Sequence, residues 1–205
     1  HYNLQVSGLK LPGFAAYTDE LMRYPYGCLE QTVSKAMGQL YLNDVMELAP
    51  DEARARENHV QAALTKLSSY RGGDGRFYLW AGSSYYHPWS GIYAGYFLLE
   101  ARDKRFNIPE GLLDNWQKTH NDLANKWNVQ GASNQLTQIR EEQIQAFRLY
   151  ILARSGAPVL GAMNRLSQSA SKNYMTELML AGAYLVSGYD NMADQWLKKA
   201  LSSYT

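Results

Sequence analysis

The chain has almost no cysteine: Cys28 is the only one in 205 residues. A lone thiol cannot pair within the chain, so no disulfide framework holds it, and cysteine usage fits a reducing cytosol and an envelope compartment equally. Charge of one sign is missing too, since 20 Lys and Arg stand against 19 Asp and Glu, a formal net charge of +1 with no basic block. That balance argues against a nucleic-acid partner, which would need a phosphate-tracking surface. No apolar run approaches the roughly 20 residues of a membrane span. The chain begins HYNLQVSGLK, with neither an initiating Met nor a charged stretch before an apolar run. It reads as an excised piece, with any targeting peptide outside it. Its length still suffices to bury roughly 70% of the unfolded surface, so one domain needs neither metal nor disulfide, and nothing in the composition asks for a cofactor.

What is present is helical periodicity. Apolar residues recur at helical spacing over 31–48, 52–70, 88–105, 109–127, 137–155, 159–169, 172–187 and 190–203, and only a short stretch near FYLW alternates like a strand. Residues 1–14 form an irregular segment ahead of these. Pro50 with Asp51, Pro109, Gly156 with Pro158, and Gly188 with Asp190 mark the breaks, while RGGDGR (71–76) and NVQGASN (128–134) are the main loops. Short links between long helices imply antiparallel hairpins, four in all.

The alternate helices resemble one another. IYAGYFLLEAR from Ile92 and IQAFRLYILAR from Ile144 share Ile, Ala and a closing Ala-Arg at the same offsets, and LMLAGAYLVSG from Leu178 is a looser echo. A repeated hairpin follows. These helices carry small residues suited to close packing, whereas segments such as PDEARARENHVQAALTKLSSY carry charge along one face. The expected fold is therefore all-α: antiparallel hairpins with an inner apolar and an outer amphipathic layer, as a toroid or a solenoid arc.

The one cysteine sits in YPYGCLEQ, residues 24–31. In a helix beginning near Leu29, residues 28 and 31 share a face, so the Cys28 sulfur can approach the Gln31 side-chain carbonyl carbon. Unpaired N–H groups and the positive end of the dipole in the first turn favour a thiolate nucleophile. Gly27 removes bulk beside the sulfur, and Pro25 with Gly27 sharpens the turn into the helix.

Tyr26-Gly27-Cys28-Leu29-Glu30-Gln31 resembles the Gly-Cys-x-Glu-Gln thioester motif of the alpha-2-macroglobulin and complement family. The likeness implies that Cys28 is the thioester sulfur and Gln31 the acyl donor that loses ammonia, with Gly27 and Glu30 their companions. Leu29, where many animal members have Gly, resembles the bacterial branch. GDGRFYLWAGS followed by PWSGIYAGYFLLEAR is similar to the loop and second inner helix of the family's thioester domain. That domain is a toroid of six hairpins, of which the four in residues 1–205 would be about two thirds. The resemblance further implies a bacterial protease inhibitor that traps its attacker covalently through lysine amines. It implies a single-turnover trap and no enzyme, with partner domains in a larger parent protein of the periplasm, often a lipoprotein.

Other readings compete. Tyr24, Trp80, Tyr85, Tyr86 and Trp89 are candidate walls for something that must be kept dry, or for a sugar or lipid site. Cys28 with His59, His87 or His120 would make a cysteine-protease pair, though helix histidines are more commonly exposed. A toroid glycosidase would draw on Asp74 and Glu100, a solvated-loop Asp and a helix-surface Glu by pattern. A prenyl-transfer zinc would need clustered Asp, Cys and His that the sequence does not offer. A non-covalent helical-repeat binding module would leave the motif inactive. Finally, some complement members carry a histidine ahead of the third inner helix. The matching stretch, 128–143, has none; Asn134, Gln135 and Gln138 are its nearest polar candidates, and His87 is the one histidine expected near Cys28.

Overall fold

The computed structural model describes residue 22 and residues 27–128, 134–169 and 173–204. The leading segment 1–14, Tyr24 and Tyr26, and residues 129–133 of the second loop lie outside the described residues. Among those described there are nine helices and no strand: α1 (Leu29–Leu40), α2 (Leu42–Val45), α3 (Pro50–Tyr70), α4 (Pro88–Asp103), α5 (Leu112–Lys126), α6 (Gln135–Arg154), α7 (Leu160–Ser167), α8 (Tyr174–Val186) and α9 (Asp190–Ser203). The strand-like FYLW contributes only an isolated antiparallel bridge between Arg71 and Phe77.

Starts and stops follow local chemistry. Prolines open α3 and α4 at positions where the missing N–H is not needed. Asn134 and Asn173 cap α6 and α8 by accepting backbone N–H bonds. One expectation fails: the helix expected over 31–48 starts at Leu29 and breaks at Tyr41 (φ −104°, ψ 0°), leaving the four-residue α2 beyond it. The break has a tertiary cause. The Tyr41 hydroxyl donates to the Glu100 carboxylate, and Arg56 Nη1 caps the orphan carbonyls of Gln39 and Leu40 at 3.4 Å each.

Helices α1, α4, α6 and α8 neighbour one another in chain order, and α3, α5, α7 and α9 back them as a second layer. This is the expected inner and outer arrangement. The two middle inner helices are covered on nearly every side, with Ile92, Phe97, Leu98, Leu99, Leu149, Ile151 and Leu152 all sealed in the core. Each such side chain contributes roughly 1.5–3 kcal/mol by leaving water. Small residues set the spacing: a Cβ on Gly95 would fall inside the Trp116 indole, whose Nε1–H donates to the Gly91 carbonyl at 2.9 Å.

Two polar residues lie deeper than their sequence pattern predicts. Glu100, expected on a helix surface, is buried and shared between Tyr41 and Arg154, the latter at 2.5 Å. His120, expected to be exposed, is fully buried and stacked on Trp116 with ring centroids 4.5 Å apart. Both sit where neighbouring helices converge, which periodicity along one helix does not report.

Candidate functional site

The first turn of α1 is built around a backbone shape that only glycine adopts readily. Gly27 has φ +127°, and a Cβ there would overlap Gln31 Oε1 and come within 3.0 Å of Gln31 Cβ and Cδ. Cys28 is the N-cap, extended at φ −72°, ψ 174°, and 9% exposed. Its backbone N–H donates to Gln31 Oε1 at 3.1 Å, curling the Gln31 side chain back over the helix end. This is one half of a capping box, with Gln31 in the position that usually holds Glu or Gln. The thiol and the carboxamide therefore share one turn, and the carboxamide oxygen is held by a donor.

Three elements fix that turn from outside. From α3, the Tyr70 O–H donates to the Gly27 carbonyl at 2.7 Å, and the Lys66 ammonium stands 3.5 Å from the same oxygen. Thr32 and Tyr70 pair their hydroxyls at 3.0 Å. The loop after Phe77 accepts an orphan helix donor, Leu29 N–H to Leu79 O at 2.8 Å. From α4, Ser90 Oγ lies 3.4 Å from Glu30 Oε2 and 2.9 Å from His87 Nδ1. Cys28, Glu30, Gln31, Ser34 and Lys35 line a shallow hollow.

The aromatics divide. Trp80 and Tyr85 are 53% and 59% exposed, in the loop that Leu79 ties to α1, and Trp89 stacks on Phe147 at 4.8 Å with one edge in solvent. Tyr86 instead turns inward beneath the Arg76 guanidinium, 5.0 Å from its ring, and burial raises its phenol above the ordinary range. The competing constellations are not assembled. Asp74 accepts from the Tyr78 hydroxyl and the Arg76 N–H, while Glu100 is committed to Tyr41 and Arg154. His120 is sealed from solvent, and His87 reaches the motif only through Ser90 and Glu30. Among the described residues no group of three or more His, Cys, Asp or Glu could hold a metal ion. Lys66, Tyr70, Leu79 and Ser90 are the partners that sequence reasoning missed. They are ordinary helix and loop residues, and no local pattern distinguishes them.

Known proteins match this chain over nearly its whole length. A family model described as the A-macroglobulin TED domain covers residues 3–205. An alpha-2-macroglobulin of Xylella fastidiosa (strain Temecula1) is 32% identical over 174 residues, 80% of this chain and 10% of the relative. That of Escherichia coli K12 is 25% identical over 170 residues, again 80% and 10%. The chain thus spans about a tenth of the length of the curated relatives it matches. Among solved structures, native Escherichia coli alpha-2-macroglobulin from domain MG7 to the C-terminus aligns with a TM-score of 0.77 at 24% identity, over 93% of this chain and 31% of that one. Salmonella alpha-2-macroglobulin reacted with methylamine aligns at 0.75 and 24%, over 92% and 13%. Those likenesses give the fold, an α/α toroid type. The chain belongs to the A-macroglobulin TED family, the thioester domains of the alpha-2-macroglobulins.

Proposed function

We propose that this chain is the thioester-bearing part of a bacterial alpha-2-macroglobulin-like protease inhibitor and that Cys28 and Gln31 form the cross-link that traps the attacker. The observation that carries the reading is the Cys28 N–H bond to Gln31 Oε1 at 3.1 Å, made possible by the missing Cβ of Gly27. The Cys28 sulfur adds to Gln31 Cδ, the C–N bond breaks, and the amide nitrogen leaves as ammonia with the thiol proton. What remains is an acyl carbon with a good leaving group. A lysine amine of a protease then attacks that carbon, a new amide forms, the C–S bond breaks, and the Cys28 thiol is released. The reaction occurs once per molecule, so the chain is a trap and no enzyme.

Relatives support the chemistry by what was done to them. The Salmonella protein is described as reacted with methylamine, and the Escherichia coli protein as activated by trypsin and by porcine elastase. Carried to this chain, they imply an amine-reactive acyl group and proteases as partners. Other domains of a larger parent would supply the trigger and a cover for the reactive turn. The exposed Trp80, Tyr85 and Trp89 would belong to that covered face. On this reading residues 1–205 belong to a single thioester-type domain and hold about four of the family's six hairpins, and the periplasm is the fitting compartment.

Intact mass tests this. The freshly purified chain should weigh less than its sequence by one ammonia, and methylamine should add at position 31 and free one titratable thiol. An unmodified mass with a free thiol and no amine uptake would leave a non-covalent helical-repeat module as the surviving reading.

A further inference from the structure

The two ends of a single peptide unit, Gly27–Cys28, are both engaged. Its carbonyl receives the Tyr70 hydroxyl at 2.7 Å and faces the Lys66 ammonium at 3.5 Å, while its N–H donates to Gln31 Oε1 at 3.1 Å. The peptide is trans, so the two groups point in opposite directions, and whatever fixes the carbonyl aims the N–H. Tyr70 is well placed to fix it. Its ring is 3% exposed, its oxygen is also held by Thr32, and the Lys66 ammonium lies 5.6 Å from the ring centroid.

We propose that Tyr70 and Lys66 are positioning residues for the acyl transfer, holding the Gly27–Cys28 peptide so that the Cys28 N–H stabilises the oxyanion on Gln31 Oε1. The inference rests on the covalent reading of Cys28 and Gln31. When the sulfur adds to Gln31 Cδ, negative charge appears on Oε1 before the C–N bond breaks and ammonia leaves. When an amine later adds to the same carbon, charge appears on the same oxygen before the C–S bond breaks and the sulfur takes up the amine's proton. A donor already aimed at that oxygen favours both transition states over the neutral carbonyl. Hydrogen bonds to the carbonyl also polarise the peptide and strengthen its N–H as a donor. Gly27 completes the device, because it takes up φ +127° without a side-chain penalty and no Cβ intrudes on Gln31.

The test compares Tyr70→Phe, Lys66→Met, Lys66→Arg and Thr32→Val with the wild-type chain, each checked by circular dichroism for helicity. Two quantities are read: the rate of thiol release by methylamine, and the infrared carbonyl band of the thioester in protein labelled with ¹³C-glutamine. Tyr70→Phe should slow aminolysis about tenfold or more and move the band to higher frequency, or should fold without ever losing ammonia. Lys66→Met should shift both quantities the same way by less, and Lys66→Arg should restore them. Thr32→Val removes a partner of both the Tyr70 hydroxyl and the Lys66 ammonium but keeps their contacts with Gly27, so it should shift both quantities the same way and by less than Tyr70→Phe. Folded Tyr70→Phe and Lys66→Met chains that react at the wild-type rate with an unmoved band would overturn the positioning role alone. So would a Thr32→Val chain slowed as much as Tyr70→Phe. A wild-type chain that neither loses ammonia nor takes up methylamine would overturn the covalent reading, and this role with it.

Discussion

Gly27 and Gln31 claim the same space: the position a Cβ would take on residue 27 is filled by the Gln31 side-chain oxygen. Gly27→Ala must therefore expel the carboxamide from its place over Cys28. An L-residue at φ +127° is also strained, at about 1–3 kcal/mol. Denaturant titration should show that loss with helicity retained, and intact mass should show no loss of ammonia and no methylamine adduct. An Ala variant that still takes up methylamine would mean the carboxamide is not held where the acyl transfer needs it.

Nucleophile choice is a second expectation. The Nδ1 of His87 is occupied by Ser90, and the motif is reached only through Glu30. With no histidine in 128–143, direct attack by amines should dominate over esterification of hydroxyls. Competing glycerol with methylamine should give amine adducts in wild type and in His87→Ala alike. Glycerol ester formation that disappears in His87→Ala would reveal an imidazole catalyst.

Acid should loosen the middle of the helical array. His120 is fully buried, neither ring nitrogen has a hydrogen-bond partner among the described residues, and it faces Arg148 and Arg76. Burial first, and then those two cations, hold its pKa well below the ordinary value of 6.5. The unfolded chain therefore takes up a proton that the folded chain refuses. Stability is full above about pH 6.5 and falls as the pH drops below it, by up to about 1.4 kcal/mol per pH unit until the folded imidazole titrates. Urea melts from pH 7 to 5 should show this slope in wild type and lose most of it in His120→Phe, which keeps the stack on Trp116.

Close packing gives a fourth expectation. A methyl at position 95 would meet the Trp116 ring, which is itself pinned by its bond to Gly91. Gly95→Ala gains helix propensity but forces α5 away from α4, at a net cost of about 1–3 kcal/mol in chemical denaturation. Gly156→Ala, where nothing lies near the added Cβ, is the control for crowding, although its φ of +85° carries strain of its own.

The helices and their layers were legible in the sequence because each inner helix repeats an apolar pattern that its neighbours must cover. Tyr41 was not, since the helix breaks there for Glu100, 59 residues away. For the same reason Glu100 and His120 looked like surface residues: their partners come from other helices. Cys28 and Gln31 could be placed on one face by spacing alone, as three positions separate them on one turn. Tyr70 and Lys66 could not, because their reach to Gly27 spans 43 and 39 residues with no motif to mark it.

The series of inner helices also has an order in time. Each neighbours the next, and the partners described for the reactive turn, namely Thr32, Lys66, Tyr70, Leu79 and Ser90, all precede α5 in the chain. An array with such neighbour-to-neighbour contacts can grow from one end. A ribosome making this chain would release all of those groups before α6 through α9 exist, so Cys28 and Gln31 can meet while the second half of the domain is still being translated.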